Sequence, residues 1–309
     1  FMGNPVYPFI FNGRYWDEFR SMAHQAPGSG IGLNPIALLK LPYTLTLGIQ
    51  DASGDSPIGP LFLALLPLVL FYVLFQFKKS APFVYWVLLL YVVAHYAFWI
   101  IGVIGSAPLF QGRLMLPALA ALCPILAWII NDIKRFDHPQ FSLQRFINLV
   151  LAIVLLFGLV TQFVQWLNHN PLPYIAGSQT RSDYLTDNLG YLYVASHDMG
   201  ELLSPNAVVQ FLWEPRTYYC ERDCRGDHIL DKYSHLEHLY GSADKIANAL
   251  AAENVTHLFI HDAGLEFLRE NEETWVVPAD WDEYRLFIKD HASPLEQWGD
   301  AYSLYELVP

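Results

Sequence analysis

Residues 83–104 have the sequence FVYWVLLLYVVAHYAFWIIGVI, in which Asp, Glu, Lys and Arg do not occur. At a rise of about 1.5 Å per residue, a helix of this length spans about 33 Å, enough to cross the hydrocarbon core of a bilayer. Three further uncharged apolar runs lie at residues 57–77, 114–131 and 146–166. The sequence therefore predicts an α-helical polytopic membrane region with four spans, within residues 57–168.

Charge divides the chain into two parts. Residues 1–170 contain nine Lys and Arg against six Asp and Glu, whereas residues 171–309 contain nine against twenty-four, a net charge of −15. Nucleic acids and anionic lipid surfaces attract clustered Lys and Arg, so the acidic part excludes nucleic acid as a partner. We expect the lipid bilayer to surround the first part and water to surround the second.

The acidic part has the pattern of a separate domain, predicted at residues 169–309. Its apolar segments alternate between helical spacing and short buried-strand runs. The predicted helices are 182–199, 242–252 and 281–290, and the predicted strands are 207–213, 255–260, 295–298 and 301–308. Such alternation predicts a small soluble α/β domain with a parallel sheet that ends in a hairpin.

Positive charges in the short connections predict the orientation of the spans. Five Lys and Arg lie in two loops, residues 78–82 and 131–145, whereas the other connections contain Arg113 alone. The two basic loops are therefore predicted to be cytoplasmic. Residues 1–56, the loop that ends at Arg113 and the acidic domain are then extracytoplasmic.

Residues 1–56 are predicted to form an extracytoplasmic loop with interfacial helices. The segments 13–20 and 35–42 are aromatic or apolar and too short to span a bilayer, which is typical of helices in the membrane interface. Between them, the glycines of residues 28–32 have neither a preceding strand nor a following Lys-Ser/Thr pair, so a phosphate cradle is disfavoured. We expect a flexible joint there.

Arg113 is the candidate binding residue of the membrane region. An arginine at a span boundary can be an anchor whose side chain reaches the interface, or it can bind the phosphate of a lipid head group bidentately. Both interpretations stay open from the residues alone. His95, inside the second span, is expected to form a hydrogen bond to a neighbouring helix.

In the acidic domain, Glu214 and Arg216 follow the first predicted strand, where open α/β sheets place their ligands. They are candidates for contact with an acceptor or a sugar, and the alternative is a structural ion pair in a loop. Cys220 and Cys224 are close enough in sequence to form a disulfide if the backbone geometry permits it. The histidines lack the spacing of a zinc site, so no metal ligands are predicted.

Three short motifs carry a resemblance to a known family: NPVYPF at residues 4–9, RYW at residues 14–16, and GRLMLPAL at residues 112–119, which opens a span. In this order, they resemble the C-terminal half of bacterial GT-C superfamily membrane glycosyltransferases. Within that superfamily, the chain is most similar to the branch of protein O-mannosyltransferases and aminoarabinose transferases.

This resemblance implies a multi-pass protein of the bacterial inner membrane that acts in the cell envelope. A polyprenyl-phosphate-linked sugar would be the donor, and a glycan, lipid or protein on the extracytoplasmic side would be the acceptor. Arg113 would hold the lipid phosphate, while Tyr7, Arg14, Trp16 and Asp17 would line the roof of the cavity. The catalytic acidic residue of the family is expected upstream of this chain, and dependence on a divalent metal stays open.

Two functions other than catalysis fit a polytopic membrane protein of this kind. A non-catalytic membrane scaffold could bind an envelope partner through its extracytoplasmic domain. A transporter would need polar or broken helices along an ion path, which the four uncharged runs do not provide.

Overall fold

The computed structural model describes residues 16–25, 28–47, 58–76, 81–270 and 280–308. These residues form two compact units: residues 16–24 together with 169–308, and the described residues of 25–168. The first is called the α/β unit below, and the second the membrane unit.

The membrane unit is helical. Its helices are α2 (Pro35–Leu47), α3 (Leu61–Phe71), α4 (Phe83–Gly105), α5 (Leu116–Asp132) and α6 (Leu143–Asn168). A π-helical turn, Tyr72–Gln76, continues α3, and the 3₁₀ turns Gly112–Met115 and Ile133–Phe136 extend α5 at both ends.

Among the described residues, three helical segments are long and apolar enough to cross a membrane: Phe83–Gly105, Gly112–Phe136 and Leu143–Asn168. Most of their surface in the unit is apolar and exposed, and α6 has no buried residue. Such a surface suits lipid rather than water. The protein is therefore a membrane protein with three candidate spans.

The fourth expected span is not confirmed. Residues 57–77 were predicted to cross the bilayer, but the described helix runs only from Leu61 to Gln76, a length of about 24 Å. The helix does not extend further upstream because Gly59 has a φ of +82° and precedes Pro60, and the residue before a proline is disfavoured in the helical region.

The glycine-rich segment 28–32 is bound to the end of α4. The N–H groups of Gly28, Ile31 and Gly32 donate to the last carbonyls of that helix at 2.8, 3.1 and 3.2 Å. A Cβ on Gly30 would lie 2.4 Å from two of these carbonyl oxygens, so only glycine fits. The prediction of a flexible joint is wrong, because the segment caps a helix terminus that would otherwise have unsatisfied acceptors.

The expected hydrogen bond of His95 is confirmed. Its Nε2 lies 2.8 Å from the carbonyl oxygen of Leu114, in the turn that leads into α5. A carbonyl only accepts, so Nε2 carries the proton. The bond ties α4 to the start of the next span.

The α/β unit is built on one sheet of five strands. The elements after α1 (Glu18–Gln25) are α7 (Leu172–Ile175), α8 (Arg181–Leu189), α9 (Tyr191–Leu202), β1 (Val208–Leu212), β2 (Asp223–Arg225), α10 (Lys232–Tyr240), α11 (Ala243–Ala252), β3 (His257–His261), α12 (Asp262–Glu270), α13 (Trp281–His291), β4 (Ala292–Trp298) and β5 (Tyr302–Leu307). The strand order is β2-β1-β3-β5-β4.

The sheet differs from the prediction in its pairing. Strands β2, β1 and β3 are parallel, but β5 joins β3 antiparallel and β4 pairs with β5 as the expected hairpin. The sheet is therefore mixed. The predicted helix 182–199 is two helices, because Gly190 between α8 and α9 has a φ of +59° that ends the first one.

Both faces of the sheet are covered. Alternate residues of β1 and β3 point to opposite sides: Phe211 and Phe259 pack with α9, whereas Leu258 and Ile260 pack with α10, α11 and α13. This alternation follows from the two-residue period of a strand. The loops that carry polar side chains follow the carboxyl ends of the three parallel strands, which lie at one edge of the sheet.

Candidate functional site at the strand ends

The loop after β1 begins with a strained residue. Trp213 has a φ of +58°, a conformation that bulky side chains rarely adopt. Its N–H donates to the Oδ2 of Asp227 at 3.0 Å, and its indole is buried in the core. Such backbone strain persists only where the surrounding structure holds it, and it is common at functional sites.

The next residue, Glu214, is fully buried and saturated with hydrogen bonds. The Nε and Nη2 of Arg216 each donate to one of its carboxylate oxygens at 2.7 Å, and the hydroxyl of Tyr302 donates to Oε2 at 2.8 Å. Burial alone would raise the pKa of Glu214, but the bonds from Arg216 and Tyr302 bring it below its usual value. Glu214 is therefore the anion of a buried ion pair.

Arg216, the cation of this pair, is partly exposed to solvent. Its side chain is 55% exposed, and among the described residues its Nη1 has no hydrogen-bond partner. Tyr218, two residues further on, is 84% exposed. A guanidinium that is fixed on one side and open on the other can donate to a hydroxyl, carboxylate or phosphate of a ligand.

His261, at the end of β3, lies beside the pair. Its ring stacks on Tyr302 with centroids 4.7 Å apart, and its Nδ1 lies 3.3 Å from the carbonyl oxygen of Trp213. Nδ1 therefore carries a proton, and Nε2 can accept a hydrogen bond when it is unprotonated. A donor on Arg216 and an acceptor on His261 at one edge of the sheet can recognise a hydroxylated ligand.

Two further carboxylates lie at this edge and were not singled out from the sequence. Asp227 follows β2, and burial, together with the charge of Asp231, raises its pKa to about 6. Asp262 follows β3 and accepts a hydrogen bond from the hydroxyl of Ser303 at 2.6 Å, and burial raises its pKa. Both carboxylates follow parallel strands. The strand β2 shows no strand pattern in the sequence, because it has only three residues.

Helix α1 docks on α10 of the same unit. Arg20 forms a bidentate ion pair with Asp231, with Nε–Oδ2 and Nη2–Oδ1 distances of 2.8 and 3.0 Å. The Oδ2 of Asp17 lies 2.6 Å from the Nε2 of His235, and Phe19 stacks on the rings of His235 and His238.

Of the four residues expected to line a cavity roof, two are described. Trp16 donates from Nε1 to the hydroxyl of Ser21 at 3.0 Å, and Asp17 contacts α10. The structure therefore places these two within the α/β unit. Tyr7 and Arg14 lie outside the described residues.

Arg113 belongs to the membrane unit. Its side chain is exposed in the turn before α5, and its Nε donates to the Oε1 of Gln111 at 2.9 Å. Its two Nη groups have no hydrogen-bond partner among the described residues. Glu214 and Arg216 belong to the α/β unit, so the candidate residues form two separate groups.

Cys220, in the loop after β1, forms a disulfide with Cys224 in β2. This settles the alternative left open by their spacing. Cys123 is a free thiol on α5. In the part of the chain that the structure describes, no group of three His, Cys, Asp or Glu side chains has the arrangement of a metal site.

Comparisons with known proteins give no match: no protein-family model, no curated protein and no solved structure is similar to this chain.

Proposed function

We propose that this chain is part of an integral membrane glycosyltransferase of the bacterial inner membrane. The enzyme transfers a sugar from a polyprenyl-phosphate-linked donor to an acceptor on the extracytoplasmic side, where the α/β unit lies. The resemblance of residues 4–9, 14–16 and 112–119 supports this proposal, together with three apolar helices long enough to cross a membrane.

The observation that carries the proposal is the setting of Arg113. It lies in the turn Gly112–Met115, at the start of a candidate span, where a charged side chain needs water or an anion. Gln111 holds the Nε and thereby orients the guanidinium, while the two Nη groups are available. A planar pair of donors fits two oxygens of a phosphate. Arg113 is the proposed ligand of the donor lipid phosphate.

Arg216 is the proposed acceptor contact, through its exposed Nη1. Glu214 does not reach the acceptor itself, because both of its oxygens are engaged and its side chain is fully buried. Its role is to fix the guanidinium. An acceptor hydroxyl or anionic group would complete the set of hydrogen bonds around Arg216.

Binding of a polyprenyl phosphate to the purified chain in nanodiscs, measured by native mass spectrometry, tests the proposal. Arg113→Ala should weaken binding at least tenfold, and Arg113→Lys should retain part of it, because it keeps the charge but not the fork. Arg145→Ala is the matched control, since Arg145 is also exposed near the start of a candidate span.

The phosphate-free polyprenol should not compete for binding. Equal binding by Arg113→Ala and the unchanged chain would refute the assignment. In a transfer assay with the full-length protein, the same substitution should cost about 2–4 kcal/mol of transition-state stabilisation, as expected for one preorganised donor.

A membrane scaffold is the second candidate, favoured by the saturation of Glu214. A carboxylate that accepts from Arg216 and Tyr302 on both oxygens needs no ligand, as expected for a structural ion pair. A scaffold has no need of a lipid phosphate at Arg113. The polyprenyl phosphate measurement therefore separates the two functions.

A further inference from the structure

We propose that Arg20 is a positioning residue for the site at the carboxyl ends of the parallel strands. Helix α1 docks on α10, and this contact holds the loop that carries Glu214 and Arg216. The contact acts through Asp231 and Asp227. The consequence for acceptor recognition rests on the proposed function. The series of contacts from α1 to the loop does not depend on that function.

The first link is the ion pair between Arg20 and Asp231. The Asp231 side chain is fully buried and that of Arg20 is 13% exposed. A carboxylate without contact to water needs a cation or several donors to remain charged. Arg20 supplies two charge-assisted hydrogen bonds, so the position of the Asp231 side chain depends on α1.

The second link joins the side chain of Asp227 to the backbone of the turn that leads to Asp231. The Oδ1 of Asp227 accepts the N–H groups of Asp231 and Lys232 at 3.0 and 3.2 Å. Leu230, inside this turn, has a φ of +58°. The turn is therefore held in an unfavourable backbone conformation by the same carboxylate that lies next to Asp231.

The third link reaches the loop after β1. The second oxygen of Asp227 accepts the N–H of Trp213, and the N–H of Asp227 donates to the carbonyl oxygen of Glu214, both at 3.0 Å. Trp213 is the strained residue that turns the chain toward Glu214. Displacement of Asp227 would release this strain and move the base of the Glu214–Arg216 pair.

A simple anchor is the alternative role for α1. The contacts of Asp17 with His235 and of Phe19 with His238 would hold α1 in place without any effect on the loop. The two roles differ in what happens at Trp213 and Arg216 when a single contact of α1 is removed.

Hydrogen–deuterium exchange of the full chain in detergent distinguishes these roles. The amides to follow are those of Trp213, bound to Asp227, and Arg216, bound to Glu214. Arg20→Ala should accelerate their exchange at least tenfold, and Arg20→Lys should give an intermediate rate. Asp17→Asn is the matched control: it removes the other carboxylate by which α1 contacts α10, at His235, and should leave both amides protected.

Fast exchange confined to α1 and α10 in Arg20→Ala would overturn the proposal and leave α1 as an anchor. If Arg20→Ala does not fold, Arg20→Gln provides a shorter, uncharged side chain with one amide donor group, and the same two amides decide. Unaltered protection of β5 serves as the check on folding.

A transfer assay with the full-length protein links the effect to function. Arg20→Ala should raise the KM for the acceptor, as should Arg216→Ala, and leave polyprenyl phosphate binding unchanged. If the proposed function is wrong, neither transfer nor phosphate binding is observed. The exchange measurement still tests the positioning role of Arg20, because it does not depend on that function.

Discussion

Arg20 and Asp231 form a buried bidentate ion pair across 211 positions of sequence. It attaches a helix that precedes the first apolar run to a domain that follows the last one. The α/β unit is therefore not a simple C-terminal tail, because described residues 16–24 belong to it as well.

Breaking this ion pair should be strongly destabilising. Arg20→Met removes a cation from the fully buried Asp231 carboxylate, and breaking a buried ion pair typically costs about 3–5 kcal/mol. Urea unfolding of the α/β unit within the full chain, followed by circular dichroism, measures the loss. Arg285→Ala is the control, since its pair with Asp282 is exposed and should contribute less than about 1 kcal/mol.

The double variant Arg20→Met, Asp231→Leu should recover much of this loss, because it removes both charges from the interior. A double variant that is destabilised by the sum of the two single changes would contradict the ion pair as the cause.

Asp227 should make stability depend on pH. Its pKa is about 6 in the folded protein against 3.8 as the ordinary value, so the folded state binds the proton more tightly. Stability therefore increases as the pH falls from about 7 toward 4, by a contribution on the order of 2–3 kcal/mol. Asp227→Asn should remove this contribution from the pH profile of the melting temperature.

The charges around Asp227 set the size of this effect: Asp231 raises its proton affinity, and Arg20 offsets the charge of Asp231. Exposed Asp290 provides the control, and Asp290→Asn should leave the profile unchanged. A profile that falls with decreasing pH between 7 and 5 in the unchanged protein, and not in Asp227→Asn, would reverse the sign and contradict the prediction.

Tyr302 should stabilise the buried Glu214. Tyr302→Phe removes one hydrogen bond to a fully buried carboxylate, which is expected to cost about 1.5–3 kcal/mol. Thermal unfolding measures this loss. Tyr218→Phe at an exposed position should change the melting temperature little, and equal effects of both substitutions would argue against the role of Tyr302.

The number of cysteines that an alkylating reagent modifies tests the disulfide. Without reductant, an alkylating reagent should modify Cys123 alone, and after reduction it should modify all three cysteines. Closing so short a loop should stabilise the α/β unit by about 2 kcal/mol in the chain-entropy account. Three modified cysteines in the unreduced, denatured protein would contradict the pairing.

The orientation rests on the Lys and Arg distribution. In a Cys123→Ser background, Glu253→Cys in the α/β unit should react with an impermeant maleimide in intact cells. Ser142→Cys in the loop 131–145 should react only after permeabilisation. The opposite pattern would invert the topology and remove the extracytoplasmic roles of Arg113 and Arg216.

The sequence by itself determined the features that depend on local pattern. Uncharged runs predicted the three candidate spans, and short buried-strand runs and a turn predicted β1, β3 and the hairpin of β4 and β5. These signals are local because lipid contact and strand burial act on residues near each other in sequence. The place of Glu214 and Arg216 at a strand end followed from the same pattern.

Only the tertiary structure decided what depends on contacts between distant segments. The antiparallel pairing of β5 with β3, the capping of α4 by residues 28–32 and the docking of Arg20 on Asp231 have no local signature. Asp227 reads as an ordinary loop residue, and its influence comes from burial beside Asp231 and from the N–H of Trp213. Desolvation and long-range hydrogen bonds arise only once the chain has folded, which is why sequence pattern does not reveal them.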